Sequence, residues 1–172
     1  MTETEYVQPK AEAGFVVSDT ERDILKLAVW ERHGSNGNTG VGLVRGFGLQ
    51  RGALASTVAH DSHNLIVVGV DDQDMLTAAV ALQEAGGGLA ADGEVKAMLP
   101  LPLAGLMSDQ NTEFVQHKLQ QLNFWTAELG VPENVNAFNC LSFLALPVIP
   151  SLRLSDKGLV DVGKFAIVDL WE

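Results

Sequence analysis

"LIVVGVDDQDMLTAAVALQEAGGGLAADGEVKAML", Leu65 to Leu99, changes its pattern three times in 35 residues, and those changes decide the fold class. Leu65 to Val70 is an unbroken apolar, β-branched run, the mark of a strand buried on both faces. Asp71 or Asp72 then offers a side-chain oxygen to cap a helix. Met75, Ala79 and Leu82 fall on one face of that helix, and Gly86 supplies its stop. The triple glycine 86–88 follows a helix rather than opening one, so it reads as a cap and not as a phosphate-binding loop. "GLAADGEVKAML" returns to strand character around Asp92-Gly93, a hairpin turn signal. Strand, helix and hairpin in one stretch predict a mixed α/β fold, a central sheet with at least two packed helices in a single domain.

Working outward, "ILKLAVWERH" alternates Leu25, Leu27 and Val29 against Lys26, Ala28 and Trp30, a strand pattern. "GSNGNTGVG" reads as a turn and "GLVRGFGL" as a second strand. "ALASTVA" is a third, apolar and β-branched, and with the run from Leu65 it brackets the histidine-rich segment. "LPLPLAGLMSDQ" breaks regular structure at Pro100 and Pro102 and suits a lid or domain contact as well as a core edge. Ser108 or Asp109 can cap a further helix, with Phe114, Leu119, Leu122, Phe124 and Trp125 as its apolar bulk and Gly130 and Pro132 as its end. "CLSFLAL" and "KFAIVDLW" read as strands, separated by a proline-rich crossing and by "LSDKGLVD". Residues 1–20 lack periodicity and read as a tail or severed linker, and 21–172 as the domain.

The chain has 172 residues, 47% of them hydrophobic, enough for one core. Its net charge of −11 argues against a partner that presents phosphate or an anionic membrane. A polar N-terminus and the lack of any apolar run of about 20 residues point to a soluble, cytoplasmic protein. The single cysteine, Cys140, permits no internal disulfide and in its apolar setting is expected to be buried.

Chemistry concentrates in one place, His60-Asp61-Ser62-His63-Asn64. His60 and His63 could converge on a substrate or a metal, with Asp61 orienting one ring. Two histidines are an incomplete ligand set, because a catalytic zinc usually takes three protein ligands, and His33 and His117 sit in no motif. The plainer alternative is a polar turn in which Asp61, Ser62 and Asn64 bond to nearby backbone. His60, Asp61 and His63 are therefore catalytic candidates. Ser62, Asn64 and Arg51 are candidates for facing or supporting a substrate. Arg32, His33, Arg45 and Arg51 could also bind an anion, or be solvated counter-charges. No GxSxG elbow accompanies Ser62, and one cysteine excludes a HxE…PCxxC deaminase site.

"LAVWERHG", "GFGLQRGALASTVAHDSHNLIVVGVDDQDM", "AVALQEAGGGL", "LPLPLAGLMSD" and "LALPVIPSLRLSDKGLVDV" together resemble the C-terminal domain of bacterial adenine deaminases, members of the amidohydrolase superfamily. The resemblance runs in order through nearly all the chain after its first two dozen residues. It implies a larger enzyme that converts adenine and water to hypoxanthine and ammonia at a dinuclear iron or manganese centre in a (β/α)₈ barrel. The ligands of that centre begin with an HxH pair, and none occurs here, so the resemblance assigns no metal ligand to this chain and implies that it is inactive alone. Its partners would be the missing barrel and, through it, adenine; homo-oligomerisation stays open, as does an excised or a naturally separate domain. The resemblance places His60–Asn64 toward the barrel's mouth. A non-catalytic binding or assembly module of the same fold is the alternative, and an independent hydrolase built on His60 and His63 a third reading.

Overall fold

The computed structural model describes residues 2–34, 36–91 and 94–171. In chain order the strands and helices are β1 (Lys10–Glu12), β2 (Phe15–Val17), β3 (Leu25–Trp30), β4 (Thr39–Val44), β5 (Ala53–Ser56), β6 (Leu65–Gly69), α1 (Asp72–Glu84), β7 (Gly88–Ala91), β8 (Ala97–Pro100), α2 (Thr112–Glu128), α3 (Ala137–Leu144), β9 (Leu152–Ser155), β10 (Gly158–Asp161) and β11 (Ala166–Val168). Six strands form an antiparallel sheet in the order β4-β3-β6-β5-β7-β8, beside a three-stranded sheet β11-β10-β9 and the β1-β2 hairpin. The mixed α/β expectation holds. Among the described residues no helix is long and apolar enough to cross a membrane.

The central sheet is covered on both sides, which is why β5 and β6 are buried at every position. On one face Ala28, Ala53, Ala55, Leu65, Val67 and Ala90 pack against Met75, Ala78, Ala79 and Leu82 of α1. Asp71 caps that helix by accepting from the Gln73 N–H at 2.8 Å, and Gly86 follows its end at φ +76°. Small side chains let α1 lie close. A Cβ on Gly69 would sit 2.4 Å from the Met75 side chain. The other face carries Leu25, Leu27, Val29, Leu54, Ile66 and Val68 against Leu122 and Leu129 around α2 and Leu141 of α3.

Several local expectations are corrected. "CLSFLAL" lies mostly in α3, not in a strand, because Asn136 caps it by accepting from the Asn139 N–H. The segment also holds no β-branched residue to favour extended backbone. Cys140 on this helix is exposed. "LSDKGLVD" is the β9–β10 hairpin, closed by Asp156-Lys157 with Lys157 N–H donating to Ser155 Oγ. The second long strand begins inside the supposed turn, at Thr39, and ends at Val44. Its glycines serve packing: a Cβ on Gly40 would lie 1.9 Å from the Ser155 carbonyl oxygen. The cap of α2 is Asn111, not Ser108 or Asp109, and Leu119 and Phe124 face solvent. Residues 10–17 of the expected tail form a hairpin. The β7–β8 hairpin is present, while its Asp92-Gly93 turn lies outside the described residues.

Met75, Ala79 and Leu82 do meet the sheet as the helical spacing predicts. Gly40→Ala is expected to cost about 1–3 kcal/mol, by forcing β4 off the β9–β10 hairpin. Chemical denaturation of the variant measures this, and an unchanged midpoint would show that the two sheets separate freely.

Candidate functional site

Strand register gathers four connections at one end of the central sheet. Trp30 pairs with Leu65, Ser56 with both Ile66 and Leu89, and Gly88 with Pro100. The segments after β3, between β5 and β6, before β7 and after β8 therefore emerge together. The 57–64 turn holds the histidine-rich motif, at the centre of this end.

Backbone bonds and the Asn64 side chain fix the turn. Arg32 Nε donates to the His63 carbonyl at 2.9 Å, and the His63 N–H donates to Ala59 O at 2.7 Å. His33 Nε2 lies 3.2 Å from the same His63 carbonyl. The buried Asn64 accepts the Arg32 backbone N–H at 3.0 Å through Oδ1 and donates through Nδ2 to Asp156 Oδ1 at 3.0 Å. On the far side, the His60 N–H donates to Ser142 O at 3.0 Å, and its ring rests on Phe143 with centroids 5.0 Å apart. The His60–Asp61 peptide bond is cis.

These bonds leave the side chains in different states. Asp61 and Ser62 are exposed, and among the described residues their side chains make no hydrogen bond. The imidazoles of His60 and His63 stand edge to face, 5.8 Å apart. His63 is half-buried at φ +52°, a left-handed conformation that histidine tolerates better than most residues. Its Nδ1 is buried with no partner, which leaves Nε2 as the nitrogen open to a ligand. Burial, and then the positive charges of His60 and Arg32, hold the His63 imidazolium below the ordinary histidine range, while Asp61 opposes the shift. The ring is thus a neutral base with one accessible nitrogen.

Of the sequence candidates, His60, Asp61, Ser62, His63 and Asn64 come together, but Asn64 is spent on holding the turn. Arg51 does not join them; it is exposed ahead of β5, at the opposite end of that strand. Arg45 is committed to Glu5 and the Arg22 carbonyl, and His117 is exposed on α2. Sequence reading missed Thr57, Asp156 and the true part played by Arg32. Asp156 lies 92 residues from Asn64 in the chain, and nothing local marks it.

A dinuclear metal centre does not fit these groups. The two imidazoles offer a pair of nitrogens with no third ligand, and among the described residues no cluster of three or more His, Cys, Asp or Glu could hold a metal ion. What the end of the sheet presents is a neutral imidazole, a carboxylate and a hydroxyl, rimmed by the exposed apolar side chains Leu103, Met107 and Phe143.

The model of one family, the adenine deaminase C-terminal domain, matches residues 1–166. The chain is 55% identical over 159 residues to adenine deaminase 2 of Carboxydothermus hydrogenoformans, covering 91% of this chain and 28% of that protein. It is 56% identical over 165 residues to the adenine deaminase of Oleidesulfovibrio alaskensis, covering 95% and 29%. With that of Methanothrix thermoacetophila it shares 51% over 172 residues, covering 99% and 30%. The chain thus spans under a third of the length of these relatives.

Two measurements check the geometry. Asn64→Ala strips the Arg32 N–H and Asp156 of their buried partner and is expected to cost about 1–3 kcal/mol in denaturant unfolding. The His63 ring should titrate below about 6.5 by NMR. Because the folded form resists the proton, this group's contribution to stability is complete above about pH 6.5 and is lost as pH falls toward the depressed folded value. Asp61→Asn should depress the midpoint further, since it removes the one opposing charge.

Proposed function

The chain belongs to the adenine deaminase C-terminal domain family, and from that premise we propose that it caps the catalytic domain of an adenine deaminase and turns His60, Asp61, Ser62 and His63 toward the substrate. The single observation that carries this reading is the state of the 57–64 turn. Its backbone and Asn64 are bonded within the domain, whereas Asp61, Ser62 and His63 Nε2 are left open. Unsatisfied polar groups are costly when buried, so their exposure on a firmly held turn fits groups awaiting a partner. The apolar rim of Leu103, Met107 and Phe143 supports a face that docks on another domain and sheds water there.

In this reading the metal-bearing part of the enzyme, with iron or manganese, is separate from these residues, and the compartment is the cytoplasm. This chain's contribution is to exclude water and to hold or move a proton. His63 Nε2 accepts or donates a hydrogen bond at the purine or its leaving amine, Asp61 adjusts the basicity of that imidazole, and Ser62 offers a hydroxyl that can turn as donor or acceptor. Asn64 holds the turn, and Arg51, at the opposite end of β5, takes no part.

Adenine deamination is measured for this chain alone, for a metal-loaded catalytic domain of a relative alone, and for the two combined. The chain alone should release no ammonia, even with iron or manganese added. The combination should exceed the catalytic domain alone. His63→Gly is the decisive variant, because glycine accepts φ +52° without strain and so removes the ring at little cost. Its stability should stay within about 1 kcal/mol of the parent, while turnover of the combination falls by about 10²- to 10⁴-fold. Unchanged turnover would leave an assembly module whose turn is structural.

A further inference from the structure

One charged group at this end of the sheet is used in a way that stability does not explain. The Arg32 guanidinium is partly buried and, among the described residues, has no carboxylate partner; burial lowers its pKa. Its acceptors are two backbone carbonyls on different loops. Nε donates to His63 O at 2.9 Å, and Nη2 donates to Ala104 O at 2.8 Å. A desolvated cation without a counter-charge is a weak choice for stability, whereas a planar fork is well suited to fixing two carbonyls at once.

The surroundings are shaped to that fork. A Cβ on Gly105 would lie 2.6 Å from both terminal nitrogens of Arg32, so the guanidinium rests directly on the glycine backbone. Behind it, the buried Thr57 donates through Oγ1 to Gly105 O at 2.6 Å and accepts the Gly88 N–H at 2.8 Å. Gly87 leaves the room this requires, since a Cβ there would come within 2.5 Å of Gly105 Cα. The 101–107 loop, with Leu103 and Met107 on its outside, is thereby clasped twice to the 57–64 turn. The Arg32 side of the clasp holds the residue whose left-handed backbone sets the direction of the His63 ring.

We infer that Arg32 is a positioning residue for His63 and that it locks the 57–64 turn and the 101–107 loop into one unit. Docking of the apolar loop on a partner domain and placement of the imidazole are then a single event. The catalytic half of this inference rests on the function proposed above; the mechanical half does not.

The mechanical half is tested on this chain by amide hydrogen exchange in Arg32→Lys and in Gly105→Ala, which keeps the charge but crowds the guanidinium and strains its own loop at φ +74°, so that in this second variant the response of residues 60–64 is the informative one. Both variants should speed exchange at residues 60–64 and 103–107 together by about tenfold or more, with β5 and β6 unchanged. Acceleration in one segment only, or in neither, would overturn the coupling. For the catalytic half, the variants are assayed in combination with a metal-loaded catalytic domain, beside His63→Gly. Arg32→Lys should lower kcat by about 10- to 100-fold with KM for adenine nearly constant, and Arg32→Lys with His63→Gly should be no slower than His63→Gly alone. If His63→Gly keeps wild-type turnover, the proposed function fails while the exchange result stands by itself. If His63→Gly is impaired and Arg32→Lys is not, the positioning role of Arg32 is overturned.

Discussion

Burial of β5 and β6 on both faces is the constraint from which the rest of the molecule follows. A strand pair with helices above and below has no solvent face on which to place polar side chains, so its polar chemistry is pushed to the strand ends. Small residues make this possible. Alanines at 28, 53, 55 and 90 and the glycine at 69 bring α1 close on one face, while leucine, isoleucine and valine fill the thicker layer beneath α2 and α3.

The turn between these strands therefore inherits two incompatible demands. Its backbone has to be bonded, because it closes a buried sheet, and its side chains can be useful only if they are not. The protein divides the work by residue. Asn64 and the main chain of His63 take the structural bonds, accepting from Arg32 and His33 and donating to Ala59 and Asp156, and the ring of His63 with Asp61 and Ser62 is left free of hydrogen bonds among the described residues. An amide side chain suits the first role, since it can accept and donate at once without bringing a charge into the interior. Neutral imidazole suits the second, in a place where a desolvated arginine already supplies positive charge.

Legibility in the sequence tracked the range of the interactions. The helix from Asp72 was plain because its cap, its apolar face and its glycine stop all lie within 16 residues, and the structure shows each in use. "CLSFLAL" misled because a short alternating apolar run fits a strand and a buried helix equally, and the deciding cap, Asn136, stands before it. Glycines 40 and 42 look like turn residues in the chain. In the fold both are strand residues, and Gly40 is thinned to admit the Ser155 carbonyl, more than a hundred positions away. Arg51 and Asn64 looked equally suited to a site, and only the direction of β5 and β6 put one at the far end and the other beneath the turn.

The sequence by itself determined the class of the fold, the helix that covers one face, the clustering of polar and ionisable side chains at His60–Asn64 and the resemblance to a family, because each is written in neighbouring residues or in their order. Tertiary structure alone decided which of those five side chains are spent and which are free. It also decided that the Arg32 side chain serves two carbonyls on different loops. Those outcomes depend on acceptors contributed by Ala104 and Asp156, residues that strand pairing brings to the same end of the sheet and that local sequence has no means of specifying.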